Sequence, residues 1–346
     1  MAYTTIDDPT IYFNTVLYTG NGSSGNAITG VGFSPNWVWI KNRGTTGNHQ
    51  TFDTIRGVTN TLQPDRNIAE TAVASMLTAF DSDGFTVGDH SGVNDNTNTY
   101  VSWNWKASGS TASNTDGSIT STVSASTDSG FSIVSWTGTG SGATIGHGLG
   151  VQPQIVFVKN RSDIASWSVY TVDGGGGKGL FLNENNGYDS DSTYFNNGTA
   201  STTTFPVGTA NISNGSSDNM IAYCFGNVKG YSKIGAYVGN GSTNGVYVHC
   251  GFKPAWILTK CTSTSRNWQI RDNKVNPFNV TESFLEANGS VGEQTDPGFS
   301  SIDILSNGFK HRGVGGDTNV SGANYIFMAF AESPFVTSTG IPTTAR

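Results

Sequence analysis

Charge is what this 346-residue sequence has least of: Asp, Glu, Lys and Arg together make up 12% of it, about half the usual share. The 18 basic and 25 acidic residues give a net charge of −7. No stretch concentrates Lys and Arg, which excludes the basic footprint of a nucleic-acid binder. Cysteine is nearly absent. Cys224, Cys250 and Cys261 are odd in number and too few for a disulfide framework, so synthesis in a cytoplasm is expected. No apolar run approaches the ~20 residues of a membrane span, so no membrane insertion is expected. The start, Met-Ala-Tyr-Thr-Thr-Ile-Asp-Asp-Pro-Thr, lacks the basic and hydrophobic regions of a signal peptide. Proline numbers only 10, and the 45 glycines follow no strict period, which excludes collagen. What is present is aromatic: 11% Phe, Trp and Tyr, with 8 Trp. Disordered chains lack such rings. With Gly, Ser, Thr and Asn filling most of the remainder, the composition points to an all-β, turn-rich globular chain.

Three segments of the sequence repeat one another. Tyr18-Thr-Gly-Asn-Gly22 precedes Gly32-Phe-Ser-Pro35-Asn-Trp-Val-Trp-Ile-Lys41. Trp136-Thr-Gly-Thr-Gly140 precedes Gly148-Leu-Gly-Val-Gln-Pro153-Gln-Ile-Val-Phe-Val-Lys159. Tyr237-Val-Gly-Asn-Gly241 precedes Gly251-Phe-Lys-Pro254-Ala-Trp-Ile-Leu-Thr-Lys260. The distance from aromatic to proline is 17 residues and from proline to lysine 6, each time. Asn94, Asn214 and Asn319 then stand six residues before the apolar runs Tyr100–Trp105, Met220–Phe225 and Tyr325–Phe330. From lysine to run the spacing drifts from 59 to 61 to 65, a drift that mid-repeat loops absorb because closure entropy grows slowly with length.

The runs alternate with strand period: Val101, Trp103 and Trp105 share a face, as do Ile221, Tyr223 and Phe225, and Ile326, Met328 and Phe330. The proline-to-lysine runs are apolar on both faces, as a central strand requires. Asn67 to Leu77 is the best helix candidate, with a strand as the alternative. The expected fold is therefore all-β: three tandem antiparallel β-sandwich modules, jelly-roll-like, of about 95 residues each. The expected division is an N-terminal arm at 1–10, repeats at 11–106, 129–226 and 231–331, a Ser/Thr-rich linker at 107–128 with one short strand, and a C-terminal tail at 332–346.

These motifs, with the entry Asp8-Pro-Thr-Ile-Tyr-Phe-Asn-Thr15, Phe80-Asp-Ser-Asp-Gly-Phe85 and the ending Ala329-Phe-Ala-Glu-Ser-Pro-Phe335, resemble a repeat domain of unknown function. That domain is widespread in predicted structural proteins of tailed phages, notably marine ones. The resemblance covers nearly the whole chain and implies a tail-fibre or other virion surface component, with no catalytic residues to carry over. The second repeat departs from the pattern: where the others have Asp53 and Asp272, twelve residues after the lysine, it has Thr171.

Each candidate chemistry has a plainer alternative. Asp81-Ser-Asp-Gly84 starts like a calcium loop, but the twelfth position, where a bidentate Glu belongs, is Gly92; a turn is expected. Asp53 and Asp272 could serve as paired glycosidase carboxylates only if brought within about 10 Å; capping or turn roles are expected. The five histidines show no metal-ligand spacing, and no metal or cofactor is expected. The recurring Lys41, Lys159 and Lys260 are expected to pack their stems and hold their amines in water. Asn94, Asn214 and Asn319 are expected to form turns in left-handed conformations. Partner contacts should sit where the repeats differ. The largest difference is 173–204, where Tyr188, Tyr194 and Phe195 beside Asn and Asp make candidate sugar contacts. Order against a neighbouring subunit is the competing reading.

The expectation is thus a non-enzymatic phage virion protein, made in the host cytoplasm and exposed on the particle at the tail or on the capsid exterior. Its expected partners are other virion proteins, further copies of itself, most naturally as a trimer, and host surface glycan. A head-decoration protein, a polysaccharide-degrading spike enzyme and a secreted bacterial adhesin are the alternatives.

Overall fold

The computed structural model describes residues 3–343. Apart from helical turns of three or four residues, its regular structure is antiparallel strand. Three larger sheets share one strand order. In the first the order is Phe13–Thr19, Thr99–Trp105, Trp37–Asn42 and Gln50–Asp53. In the second, Phe131–Thr137, Asn219–Gly226, Pro153–Asn160 and Ser168–Thr171 occupy the same places. In the third these are Ser232–Val238, Asn324–Pro334, Phe252–Cys261 and Gln269–Asp272. They are called here the opening, closing, lysine and fourth strands. The repeated sequence thus forms the middle of each sheet.

Strand alternation gives each sheet two apolar faces, and each face finds a different partner. One face is covered by a small sheet. In the first unit, Val38, Ile40 and Tyr100 pack against Ile28, Phe85 and Val87 of Asn26–Thr29 and Gly84–Val87. Corresponding satellite cores lie in the second and third units, and this is the sandwich that the sequence predicts. The other faces of all three sheets meet in one shared core, which holds seven of the eight tryptophans. At its centre lie Trp105, Phe225 and Phe330, the last apolar residues of the three closing runs. Their ring centroids are 6.1, 5.9 and 5.7 Å apart, within the range aromatic pairs prefer. The three residues hold equivalent places and touch one another almost equally, so the sheets stand around a pseudo-threefold axis like the walls of a prism. Truncating a core ring of this kind costs about 3–5 kcal/mol.

The shared core changes the picture of beads on a string. Residues 107–128 do not hang free: Ala112–Asn114 and Ser121–Ser126 extend the second sheet beside its opening strand, and Val123 is buried in that unit's satellite core. The stretch from Asn67 to Leu77 contains no helix; only Thr71–Ala72 is a strand before the one that starts at Leu77. The N-terminal arm closes the ring. Ile6 enters the shared core, the Tyr3 hydroxyl donates to the Gly251 carbonyl at 2.7 Å, and Asp7 accepts from the Ser338 N–H and hydroxyl at 2.6 and 2.5 Å.

The expectation of solvated lysine amines is corrected. Lys41, Lys159 and Lys260 are fully buried. Lys41 Nζ donates to the Gly47 carbonyl at 2.9 Å and to Ser290 of the third unit at 3.0 Å. Lys159 donates to Ala165 at 2.6 Å and to Asn67 of the first unit at 3.5 Å. Lys260 donates to Arg266 at 2.5 Å and to Asn185 of the second at 2.8 Å. Each amine therefore ties its own loop, six residues on, to the neighbouring unit. Burial lowers all three amines to about 8.

Two residues beyond each loop carbonyl, a ring N–H makes a second tie. His49 accepts the Trp39 indole N–H at Nδ1 (2.8 Å), so its Nε2 carries the proton and donates to Glu286 at 3.0 Å. Trp167 and Trp268 donate to Gln63 and Phe181, both at 2.9 Å. The ties run first to third, second to first and third to second, and so form a closed ring.

The repeated asparagines also differ from expectation. None has a left-handed backbone; the carboxamides work instead. Asn94 is buried and donates to the Ser23 and Gly88 carbonyls at 2.9 and 2.7 Å while accepting from the Asn21 N–H at 2.9 Å. Asn214 and Asn319 hold the matching loops in the same way. This clamp explains the Gly-x-Gly motif. A Cβ on Gly20, Gly138 or Gly239 would collide with the backbone that follows the asparagine, and Gly22, Gly140 and Gly241 have φ near +65° (66, 66 and 64).

Candidate functional site

Two crevices open at the surface where units meet. The larger, about 900 Å³, lies between the first and third units. Asn14 and Thr15 of the first opening strand form one side, and Ala255, Ala331 and Ile304 contribute apolar surface. The far wall is the loop after the third fourth strand, with Asn273, Asn276, Pro277, Asn279 and Thr281. Asn279 fixes that wall: its carboxamide donates to the Ile304 carbonyl and accepts the Ile304 N–H, both at 2.8 Å. Between the two lining residues Pro277 and Asn279 stands Phe278, 79% exposed, the most exposed large hydrophobic residue among those described. Thr281 lines the groove with a buried hydroxyl that has no hydrogen-bond partner in the protein. A Lys253–Glu332 ion pair at 2.7 Å stands at the edge. The groove thus combines a small apolar patch with several amides and hydroxyls, and the exposed Phe278 stands in the loop that forms its far wall.

The smaller crevice, about 590 Å³, separates the second and third units and contains Tyr188, Lys178 and Asp173 facing Thr262, Ser263 and Asn324. Of the three aromatic residues singled out from sequence, only Tyr188 lines a crevice. Its hydroxyl is shared with Thr171 at 2.6 Å and donates to Asp173 at 3.2 Å, and burial raises its pKa. Tyr194 is half-buried, donates to Asp189 at 2.7 Å and packs its ring edge-on to Phe181. Phe195 is fully buried against Tyr170 in the second satellite core. As a ligand contact Phe195 is therefore excluded: the helical turn Ser192–Phe195 turns this ring inward, where its area is best removed from water.

The acids singled out from sequence serve the seams between sheets. Asp53 is fully buried; it pairs with Arg56 and accepts the Tyr223 hydroxyl of the second unit at 2.6 Å. Asp272 accepts the Thr15 hydroxyl at 2.6 Å and the Trp103 indole N–H at 3.1 Å, both from the first unit. Burial raises the Asp272 pKa against those hydrogen bonds. Each acid thus divides its lone pairs: Asp53 Oδ1 accepts the Ile55 and Arg56 N–H groups at 3.0 and 2.9 Å and Asp272 Oδ1 the Lys274 N–H at 2.7 Å, the turn role expected from sequence, while each Oδ2 reaches a neighbouring unit. Asp83 and Asp81 make a turn, with Asp83 accepting the Gly30 and Gly32 N–H groups at 3.1 and 2.6 Å and Asp81 accepting the Thr86 hydroxyl at 2.7 Å. Among the described residues no group of three or more His, Cys, Asp or Glu is placed to hold a metal ion. The three cysteines are buried and free, and burial pushes the Cys250 thiol up to about 12.

Sequence reasoning missed the groove beside Phe278. It singled out 173–204 of the second unit instead. The signal available was the Asn-Pro-Phe-Asn tetrapeptide, a turn sequence carrying a ring with no periodic apolar neighbours.

The family model described as a domain of unknown function (DUF7483) matches residues 8–334, and the chain belongs to that family. No curated protein matches the chain.

Proposed function

With that membership as premise, we propose that the protein is a non-enzymatic structural component of a phage particle. In this reading it is a tail-fibre or tail-associated part exposed at the surface, and the groove beside Phe278 holds host surface glycan. The observation that carries the glycan reading is an exposed ring on the wall loop of a groove lined by amides and an unpartnered hydroxyl. Apolar sugar faces stack on rings while hydroxyls bond amides. The structural reading is supported by where the repeated polar side chains go: the lysines, the asparagines and both Asp53 and Asp272 hold loops and seams together.

The fibre reading carries the expected trimer with it, and the fold offers a second route to threefold symmetry. One chain already sets three equivalent walls around an axis, so one copy on a threefold axis suffices.

The test is a glycan array probed with the intact protein and with Phe278→Ala, together with cryo-EM of particles. Binding that the substitution abolishes, and density at the tail, support the reading. Density on capsid faces moves it to head decoration. Absence from the particle removes the virion role, and glycan binding untouched by Phe278→Ala moves the contact elsewhere.

A further inference from the structure

The third satellite core departs from the first at four matched positions. Thr259 precedes Lys260 as Ile40 precedes Lys41, and Arg271 precedes Asp272 as Phe52 precedes Asp53. His311 follows Phe309 by two residues as Val87 follows Phe85, and Thr318 precedes Asn319 as Val93 precedes Asn94. Ile40, Phe52, Val87 and Val93 all belong to the first unit's apolar core. Their polar counterparts are buried to the same degree. Each leaves atoms with no partner in the protein: Thr259 Oγ1, Arg271 Nε, both His311 ring nitrogens and Thr318 Oγ1. The second unit has Tyr170 and Ser213 at two of these places, but there Tyr170 accepts the Ala200 N–H at 2.9 Å and Ser213 donates to Ala210 at 3.2 Å.

Strand register, a ring contact and a hydrogen bond link the four positions within the third unit. Arg271 lies opposite Ile257, and Thr259 follows two residues along the same face. The His311 ring is 5.0 Å from that of Tyr237, whose hydroxyl donates to the Thr318 carbonyl at 2.8 Å. Burial and the nearby Arg271 charge hold His311 down at about 3, so it is neutral.

Arg271 itself donates one amino group to the Ser300 carbonyl and lies over the Phe284 ring at 5.4 Å. It forms no ion pair among the described residues. Asp317 and Asp296 both act on it, but from a distance and without an ion pair, and the Asp317 oxygens are taken by the Asn267 N–H at 2.9 Å and the Gln269 amide at 3.2 Å. A guanidinium withdrawn from water without a counter-ion is strongly unfavourable. A water molecule would satisfy a donor but leave the charge uncompensated.

We infer that the third satellite core binds a small monovalent inorganic anion of chloride size, held by Arg271 Nε–H and the Thr259 and Thr318 hydroxyls, with the neutral His311 ring as a further donor. The set is rich in donors, carries one positive charge and replaces an apolar set that the same fold tolerates elsewhere. This is independent of any glycan in the groove.

The test compares melting of the full chain at fixed ionic strength as gluconate is replaced by bromide. The expected result is a saturable rise of several degrees. It should vanish in the variant Thr259→Ile, Arg271→Phe, His311→Val, Thr318→Val, which copies the first unit. Bromide-soaked crystals of the unaltered protein supply a readout that does not depend on that variant folding: an anomalous peak beside Arg271 Nε is expected. Equal melting in both salts, a rise that persists in the folded variant, or only water beside Nε overturns the inference.

Discussion

The three seams between sheets are built on one plan but are not filled alike. Between the first and second units, Asp53 meets the Tyr223 hydroxyl and carries Arg56 with it. Between the third and first, Asp272 meets Trp103 N–H and the Thr15 hydroxyl, with no cation paired to it among the described residues. In the second unit the position is Thr171, and the residue matching Tyr223 and Trp103 is Met328. Met has no N–H or O–H to give, and there the acid is missing. A buried carboxylate is retained where its neighbour can donate and is replaced where it cannot, as the cost of an unpartnered charge demands.

The comparison predicts graded losses at the three positions. Asp53→Ala leaves Arg56 buried without its partner and should cost about 3–5 kcal/mol in urea unfolding. Asp272→Ala strands three donors, the Thr15 hydroxyl and the Trp103 and Lys274 N–H groups, without stranding a cation and should cost about 1–3 kcal/mol. Thr171→Ala, which removes the hydrogen bond to Tyr188, should cost about 1 kcal/mol. Equal losses at all three would break the comparison.

Tyr223→Phe sharpens it from the other side. The ring stays and the hydroxyl leaves, so a loss of about 1 kcal/mol is expected, and it should disappear when Asp53 is already Ala.

The lysine ties are common to all seams and predict a pH dependence. Their folded value of about 8 lies below the ~10.4 of the unfolded chain. Between those limits the unfolded state binds more protons, so stability should rise with pH, by about 1 kcal/mol per lysine from pH 7 to 9. The buried thiols of Cys224 and Cys250 have raised pKa values and pull weakly the other way. Lys41→Met should therefore remove about one third of the lysine contribution to that rise; an unchanged slope would count against the buried amine. Last, Phe278→Ala should change stability by no more than about 0.5 kcal/mol, as exposed substitutions do, while abolishing the glycan capture proposed above.

Much of the architecture was legible in the residues. The alternation in Tyr100–Trp105 and its counterparts gives strand, face and register, because side chains on a strand reverse every residue. The constant spacing from proline to lysine marks the middle of each sheet. The shared core was not legible. A strand apolar on both faces says that each face is covered without saying by what, and here one cover is local and the other lies more than a hundred residues away. The lysines misled for a related reason: their partners are main-chain carbonyls, which every residue carries and no sequence pattern reveals. Phe195 looked available because an aromatic beside Asn reads alike whether its helical turn faces in or out.

The Trp105–Phe225–Phe330 contact has a consequence for synthesis. The closing strand that supplies Phe330 leaves the ribosome after all the strands of the first two sheets. Until then the tryptophan-lined faces of the first two sheets have no third wall. A nascent or truncated chain ending at Gly226 would present those faces to water and to other chains, so shortened versions should aggregate and not persist as smaller folded proteins.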